Sequence, residues 1–458
     1  MADRASARDS PAPPLEVGRR VAVTFSSLAL DGAATAQVGR QVLAVRYAIP
    51  GEVALVKVVE RDPLRGEIVA LQRKSAEAAT PPCPHFGRCG GCQLQHITLD
   101  GQRRNKTAMV AAALAGAGVA ERQVRPCRGA EGWAYRSVLR GAFDRREGET
   151  IAGFYGWGER RLYNIETCPI QHPTNVRILE VVREAVRDLG LPPYGGPGRG
   201  LVRGVLAVTG HATGEALAVL STAAPLPDRM AFVRAVLDRV DGLVGLFLTI
   251  QPGRSVEFFG PGLTLLWGRA FIEEEILGLR VRLDPRSEIP PNPRAFPLLL
   301  EAIVEAAALR EDEQIIDLFA GSGLIPLALA GRVRRAVGVT SDRRAMEEAW
   351  ATAARNGIAN AVFYTRDPAK VLAKLHERGE RTDVVLAGPP GEGLAETLSE
   401  TLAGRGPRRL VYVGRSLHVT ARDLARLGRA GYAVEWAQPV DLFPQTSHLR
   451  TVVALRWR

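Results

Sequence analysis

Three cysteines crowd into ten residues of this chain, and they constrain its fold more than any other feature. They are Cys83, Cys89 and Cys92, separated by five residues and then by two. Thiolates are soft ligands for iron or zinc, and the glycines before Cys92 let the backbone turn tightly enough for two sulfurs to face one ion or cluster. We therefore expect the chain to fold around a metal centre at this loop.

A fourth ligand must come from elsewhere in the chain. Cys168 is the best candidate, whereas Cys127 stands alone and is expected to be an ordinary thiol. The alternative is a disulfide framework or a set of buried free thiols. A CxxC pair in a chain without a secretory signal favours metal over disulfides, and the spacing alone leaves both iron and zinc open.

Length and composition limit the class of protein. The chain has 458 residues, of which 46% are hydrophobic and 24% charged, and this predicts a globular protein of two to three domains. Residues 1–14 lack the apolar core of a signal peptide, and no apolar run reaches the length of a membrane span. We therefore expect a cytoplasmic protein with no membrane partner, in reducing surroundings that suit thiolate ligands.

The net charge of +11 at pH 7 is strongly basic. A basic balance favours a polyanionic partner, with nucleic acid first. Nearly all of this positive charge is arginine, and such a bias also arises from codon composition or thermal adaptation. The charge alone is therefore consistent with either origin.

The N-terminal pattern predicts a disordered tail at residues 1–14 and a small β-barrel over residues 15–74. Short alternating apolar runs read as strands, and turn signals such as Pro50-Gly51 separate them. The stretch resembles the TRAM domain, an OB-like RNA-binding β-barrel, through Gly32 and through the segment 48–52 followed by a hydrophobic strand. The alternative is any other small barrel.

Residues 75–285 read as a central α+β domain that carries the cysteine site. Aromatic and basic residues interleave in the segments Trp133–Arg136 and Gly153–Trp157. Such residues suit stacking on unpaired bases, but aromatic residues of strands are as often part of a core. Both interpretations stay open for these two segments.

Helices and strands alternate over residues 286–458, as a parallel α/β sheet requires. The buried strand Gln314–Phe319 runs into the glycine-containing segment Ala320–Gly323. Glycines at a strand end before a helix let the backbone approach a ligand closely. The predicted fold class is thus multidomain α/β, with an N-terminal barrel, a central α+β domain and a Rossmann-like C-terminal domain.

Together these motifs resemble the S-adenosylmethionine (SAM)-dependent RNA uracil-C5 methyltransferases, the ribosomal-RNA branch in particular. The resemblance rests on Cys83–Ile97 (CPHFGRCGGCQLQHI), on the element Cys168–Ile170 and on the TRAM-like barrel, and it covers residues 15–458. It implies that Cys83, Cys89, Cys92 and Cys168 hold a [4Fe–4S] cluster. It also implies a class I methyltransferase domain at the C-terminus.

The same resemblance implies a SAM site and an RNA partner. The segment from Asp317 to Gly323 is similar to the first SAM-binding motif of class I methyltransferases. The implied cofactor-binding residues are Asp317, Phe319, Gly321, Gly323 and Asp367. The implied partner is structured RNA, either ribosomal or transfer RNA, and we expect a monomer.

The catalytic positions depart from the family pattern. Uracil C5 is a poor nucleophile, so the family adds a cysteine to C6 and removes the C5 proton with a carboxylate. Here Arg415 stands at the cysteine position and Arg450 at the glutamate position. A guanidinium stays protonated and has no lone pair to offer. No catalytic residue is therefore assigned.

Three more positions differ from the pattern. Gly388 begins the segment that matches Asp-Pro-Pro-Arg, Thr340 replaces the acidic residue expected at the SAM ribose, and Pro290 replaces a glutamine. Five changes within a retained framework predict an RNA-binding family member without uracil-C5 methylation. The alternatives are a SAM-dependent RNA methyltransferase acting on another atom, such as a base nitrogen or ribose hydroxyl, and a redox or iron–sulfur sensor.

Overall fold

A computed structural model describes residues 15–196, 198–404 and 406–457. The predicted disordered tail at residues 1–14 lies outside the described residues. The described residues form four β-sheets with helices packed against them, so the predicted α/β class is confirmed. The domain boundaries at residues 15, 75 and 286 remain predictions.

The first sheet contains the N-terminal strands. They are β1 (Arg20–Thr24), β2 (Ser27–Leu28), β3 (Ala34–Val38), β4 (Gln41–Val45), β5 (Val53–Arg61) and β6 (Leu64–Arg73). Their order is β1-β5-β6-β4-β3-β2. The run from Arg20 to Leu28 pairs with β5 through its first half and with β3 through its second, so it joins both ends of that order. Closure into a TRAM-like barrel remains a prediction.

The central part of the chain follows the cysteine loop. Its elements are α1 (Leu99–Ala115), β7 (Arg128–Gly129), β8 (Val138–Arg146), β9 (Glu149–Tyr155), β10 (Leu162–Asn164), α2 (Pro173–Asp188), β11 (Val202–Thr209), β12 (Ala216–Thr222), α3 (Arg229–Val236), β13 (Leu243–Ile250), β14 (Leu263–Gly268), β15 (Ile272–Ile276) and β16 (Leu279–Leu283). One sheet has the order β10-β9-β8-β11-β12-β13-β14, and β15 and β16 form a separate hairpin. Helix α2 starts at Pro173, where a missing N–H costs nothing, and its apolar side chains, four residues apart, pack onto this sheet.

The last part of the chain alternates helix and strand. Its elements are α4 (Phe296–Ala307), β17 (Gln314–Asp317), α5 (Leu324–Leu329), β18 (Arg335–Thr340), α6 (Arg343–Arg355), β19 (Ala361–Thr365), α7 (Pro368–Glu377), β20 (Val384–Ala387), α8 (Glu396–Gly404), β21 (Arg409–Gly414), α9 (Leu417–Arg429), β22 (Tyr432–Asp441) and β23 (Arg450–Trp457). Short 3₁₀ turns lie at Glu121–Gln123 and Ala330–Arg332.

The order of this sheet is β19-β18-β17-β20-β21-β23-β22-β7. Strands β17 to β21 are parallel, and β23 runs antiparallel between β21 and β22. The chain moves outward from β17 to β19 and then returns to β20 on the other side of β17. Ligands of open α/β sheets bind at such a reversal, outside the carboxyl ends of the strands. The predicted parallel α/β fold is confirmed, and it indicates where to look for a site.

One buried apolar cluster includes side chains of the first sheet, of α1 and of the last sheet, such as Leu43, Val110 and Val453. The N-terminal sheet and the last sheet are therefore joined through a shared core. No helix in the described ranges is long and apolar enough to cross a membrane.

Candidate functional site

The four cysteines of the predicted metal site line one cavity of about 400 Å³. Cys83, Cys89 and Cys92 come from a loop that packs against the end of β9. A Cβ at Gly90 would lie 2.9 Å from the Gly156 carbonyl, so only glycine allows this close approach. All five cysteines are free thiols, so the disulfide alternative does not describe this structure.

Cys168 reaches this cavity because its segment pairs with the strand-like run before β8. The N–H of Ala134 donates to the Pro169 carbonyl at 2.7 Å, and the N–H of Arg136 donates to the Ile170 carbonyl at 2.9 Å. These two bonds fix Cys168 opposite the cysteine loop. In contrast, Cys127 is buried elsewhere and does not line the cavity.

Burial controls the titration of these thiols. It raises the pKa of Cys92 to about 12 and that of Cys168 to about 11. It also raises the pKa of Cys89, and the positive charge of Arg136 opposes the rise at Cys89 and Cys92. Thiols in this state stay protonated at neutral pH until a cation takes the place of the proton.

The cavity has the right donors for a soft metal, but its geometry is not that of a single-ion site. Four sulfurs face it, and thiolates are the ligands of zinc and of iron–sulfur clusters. Among the described residues, no three histidine, cysteine, aspartate or glutamate side chains are grouped closely enough to hold one metal ion. The four thiols therefore share a cavity, and the predicted metal site remains a prediction.

A second cavity, of about 570 Å³, lies at the carboxyl ends of the parallel strands, and we call it the cleft. Asp317 ends β17 there and accepts a hydrogen bond from the N–H of Phe319 at 3.0 Å. Burial raises the pKa of Asp317 to about 7; the Phe319 hydrogen bond and the charge of Arg415 oppose this rise, while the Glu288 carboxylate adds to it.

Two glycines shape the turn that follows β17. Gly321 has φ +52°, and a Cβ at this position would collide with the Glu288 carboxylate. Gly323 has φ +78° and caps α5, and a Cβ there would lie 2.7 Å from the ring of Phe363. These left-handed conformations and close approaches require glycine, and they bring the Glu288 carboxylate against the backbone of the turn.

Arginine is the dominant charged residue of the cleft. The charged side chains that line it are Arg136, Arg140, Arg286, Arg415, Arg450, Glu288 and Asp317. Arg450 is half-buried, and burial together with Arg415 lowers its pKa to about 10. No cysteine is among the described residues that line the cleft.

Comparison with known proteins identifies the family of the whole chain. No model of a known protein family matches it. An uncharacterised RNA methyltransferase of Halalkalibacterium halodurans is 34% identical, over 95% of this chain and 96% of the relative. Another of Bacillus cereus is 32% identical, over 97% of this chain and 98% of the relative. The chain belongs to the RNA methyltransferase family.

A solved structure shows the same fold. It is the Pyrococcus abyssi tRNA (uracil-54, C5)-methyltransferase in complex with S-adenosyl-L-homocysteine, with a TM-score of 0.74 and 22% identity, covering 95% of this chain and 99% of the other. The fold of that structure is thus present along nearly the entire chain, whereas the TRAM-like barrel and the iron–sulfur site remain predictions.

The cofactor residues predicted from the RNA methyltransferase motifs divide into two groups. Asp317 and Phe319 line the cleft, and Gly321 and Gly323 form the turn beside it. Asp367 is exposed, and its carboxylate caps α7 by accepting from the Lys370 N–H at 3.0 Å. It is not among the residues that line the cleft, so its role as a cofactor ligand remains a prediction.

The sequence did not predict that Glu288 and Arg140 line the cleft. For the segment that contains Arg136 it left base stacking and a place in the core open. Glu288 stands beside the replaced Pro290, and that segment was the one signal that could have identified it. Tyr135 is fully buried and donates its hydroxyl to the Pro444 carbonyl at 2.9 Å, so it belongs to the core instead of stacking on bases. Tyr155 is 53% exposed and keeps the stacking interpretation open.

Proposed function

We propose that this RNA methyltransferase family member binds structured RNA, ribosomal or transfer RNA, and does not methylate uracil C5. The observation that carries the proposal is the pair of arginines in the cleft, Arg415 and Arg450. They stand where the uracil-C5 enzymes, by the sequence resemblance, have a nucleophile and a base.

The reaction needs an attacking lone pair and a proton acceptor at these two positions. A guanidinium supplies neither, because it keeps its proton and offers only donors. Ser416 adjoins Arg415, but a serine hydroxyl is a weak nucleophile without a base to take its proton. The chain therefore binds its RNA in a cleft that lacks the covalent chemistry.

SAM is the cofactor we assign to the cleft. Residues of the turn from Asp317 to Gly323 line the cleft, and the fold neighbour was solved with the demethylated cofactor. Thr340 is buried, and Asp342 caps α6 with a hydrogen bond from the Arg344 N–H at 2.8 Å. The ribose would therefore lack the usual acidic partner, and weakened cofactor affinity is expected.

A [4Fe–4S] cluster is the group that we assign to the cysteine cavity, as the sequence resemblance implies. Cys83, Cys89, Cys92 and Cys168 line this one cavity, so all four implied ligands face the same space. When bound, the cluster would tie the Cys168 segment to the cysteine loop, and a reducing cytoplasm would keep the thiols available.

Calorimetric titration of anaerobically prepared protein with SAM and with S-adenosylhomocysteine tests the cofactor assignment without knowledge of the RNA target. Micromolar binding is expected. Absence of heat at millimolar ligand would remove SAM from the proposal. Incubation with labelled SAM and unmodified ribosomal and transfer RNA should give no 5-methyluridine, and its formation would contradict the central claim.

Iron and sulfide analysis tests the cluster assignment. Anaerobic protein should contain about four irons and four sulfides per chain if the ligands are a [4Fe–4S] set. Cys92→Ala should lose both, whereas Cys127→Ala, the matched change at a buried cysteine outside the cavity, should keep both. One zinc and no sulfide would refute the cluster.

One observation favours the second candidate, a methyltransferase with another acceptor atom. Glu288 lies against Gly321 and raises the pKa of the buried Asp317. A carboxylate with a pKa near 7 can take a proton from a base nitrogen or ribose hydroxyl. Methyl transfer to such an atom, abolished by Asp317→Asn, would establish this alternative.

A further inference from the structure

Three arginines of the cleft, Arg136, Arg415 and Arg450, form no ion pair with an acidic side chain of the described residues. Ion pairs engage many arginines of the chain, but none involves Arg136, Arg415 or Arg450 within the described ranges. Arg450 Nη1 donates only to the carbonyl of its neighbour Leu449, at 3.4 Å. The Nε of Arg136 is buried and has no hydrogen-bond partner.

Arg415 and Arg450 both line the cleft. Burial lowers the pKa of Arg450, and the like charge of Arg415 adds to this effect. Asp317 and Glu288 are the only acidic side chains among the described lining residues. Burial raises the pKa of Asp317, which favours its neutral form. An unpaired and partly buried cation is costly. An anion brought by a ligand would remove that cost.

Helix α9 adds to the same site. It begins directly after Arg415, and the side chain of its N-cap residue Ser416 makes no capping hydrogen bond. The first N–H groups of a helix carry partial positive charge and bind oxyanions. Arg415 lies on the wall of the cleft, and the chain runs from it through Ser416 into these N–H groups.

We propose that Arg415 and Arg450, with the amino end of α9, bind a phosphate group of the RNA inside the cleft. A guanidinium fork matches two phosphate oxygens, and α9 supplies further N–H donors. Arg136 also lines the cleft and adds a third guanidinium group to this donor set. The inference rests on the proposed RNA binding and adds the chemical group that the cleft recognises, which is an anion instead of a neutral base.

Binding of a labelled RNA stem-loop with a single-stranded loop, followed by anisotropy over a range of salt, tests the proposal. Arg415→Gln and Arg450→Gln should each weaken binding by about tenfold, because each loses a charge-assisted contact. The dependence of log K on log salt should flatten by about 0.7 when the phosphate contact is lost. Uridine 5′-monophosphate should compete with the oligonucleotide, whereas uridine should not.

Arg343→Gln is the matched control, since Arg343 is 83% exposed on α6 and pairs only with Glu347. It removes one charge at a surface outside the cleft and should leave the salt dependence unchanged. Thermal unfolding midpoints of all variants establish that each is folded.

The assay distinguishes failure of the proposed RNA binding from failure of the phosphate site alone. Wild-type protein that binds no RNA would overturn both the proposed function and this inference. Wild-type protein that binds RNA, with Arg415→Gln and Arg450→Gln matching Arg343→Gln, would overturn the phosphate site alone. If the two variants lost S-adenosylhomocysteine instead, the arginines would hold the cofactor carboxylate, and the phosphate assignment would be wrong.

Discussion

The buried ion pair between Lys106 and Asp441 makes a sharp test of how the parts of this protein hold together. Lys106 lies on α1 and Asp441 ends β22; both side chains are almost fully buried, and Nζ lies 2.6 Å from Oδ1. Asp441 also accepts from the Phe443 N–H at 3.0 Å. The pair therefore anchors the loop that leads to Arg450 in the cleft.

Lys106→Met leaves the Asp441 carboxylate buried without a counter-ion. Breaking a buried pair in this way costs about 3–5 kcal/mol. With 458 residues and about 2.1 cal/mol/K per residue, the entropy of unfolding is about 1 kcal/mol/K. The unfolding midpoint should therefore fall by about 3–5 °C if the chain unfolds in one step, and by more if only the part around α1 unfolds.

Differential scanning calorimetry of matched variants measures this loss. Arg343→Met breaks the exposed pair with Glu347, whose side chains are 83% and 59% exposed, and should cost at most about 0.5 kcal/mol. A double variant, Lys106→Met with Asp441→Leu, should be less destabilised than Lys106→Met because it leaves no buried charge. A Lys106→Met midpoint equal to that of Arg343→Met would refute the reasoning.

Two further predictions concern the turn after β17. The folded pKa of Asp317, about 7, lies above its unfolded value of about 3.9, so the wild-type protein should lose stability as pH rises from about 4 to 7. Asp317→Asn should remove this loss, worth up to about 4 kcal/mol at pH 8, in unfolding midpoints measured across that range. Gly323→Ala should lower the free energy of unfolding by about 1–3 kcal/mol and weaken S-adenosylhomocysteine binding. The reason is that the new Cβ would lie 2.7 Å from the Phe363 ring, on a residue in the left-handed conformation. The control is Gly331→Ala, which has open space around its Cβ and should change neither stability nor binding.

The sequence could predict what depends on local pattern. Buried strands such as β17 and the glycines of the turn after it follow from short-range rules, and the structure has them where they were expected. The association of Cys168 with the cysteine loop also follows, because a metal site with three ligands in one loop needs a fourth. The first result depends on neighbouring residues, and the second depends on the number of ligands that a metal site requires.

The sequence could not predict which side chains share a cavity when no motif links them. Glu288 meets Gly321 only because the segment before α4 crosses the carboxyl end of β17. Tyr135 was open to two interpretations, and only its burial and its bond to Pro444 place it in the core. Tertiary packing decides such cases, and hydrophobic periodicity carries no information about it.

The sequence also could not predict that Arg136 lies between two cavities. It precedes β8, and together with Val138 and Arg140 it lines both the cysteine cavity and the cleft. A bound cluster with its thiolates would place negative charge on one side of this guanidinium, while the proposed phosphate lies on the other. If the cluster and the phosphate both bind as proposed, they share one cation, and the attraction of Arg136 for RNA would then depend on what the cysteines hold. The two proposed sites, although distant in the sequence, would be electrostatically coupled through this shared wall of side chains.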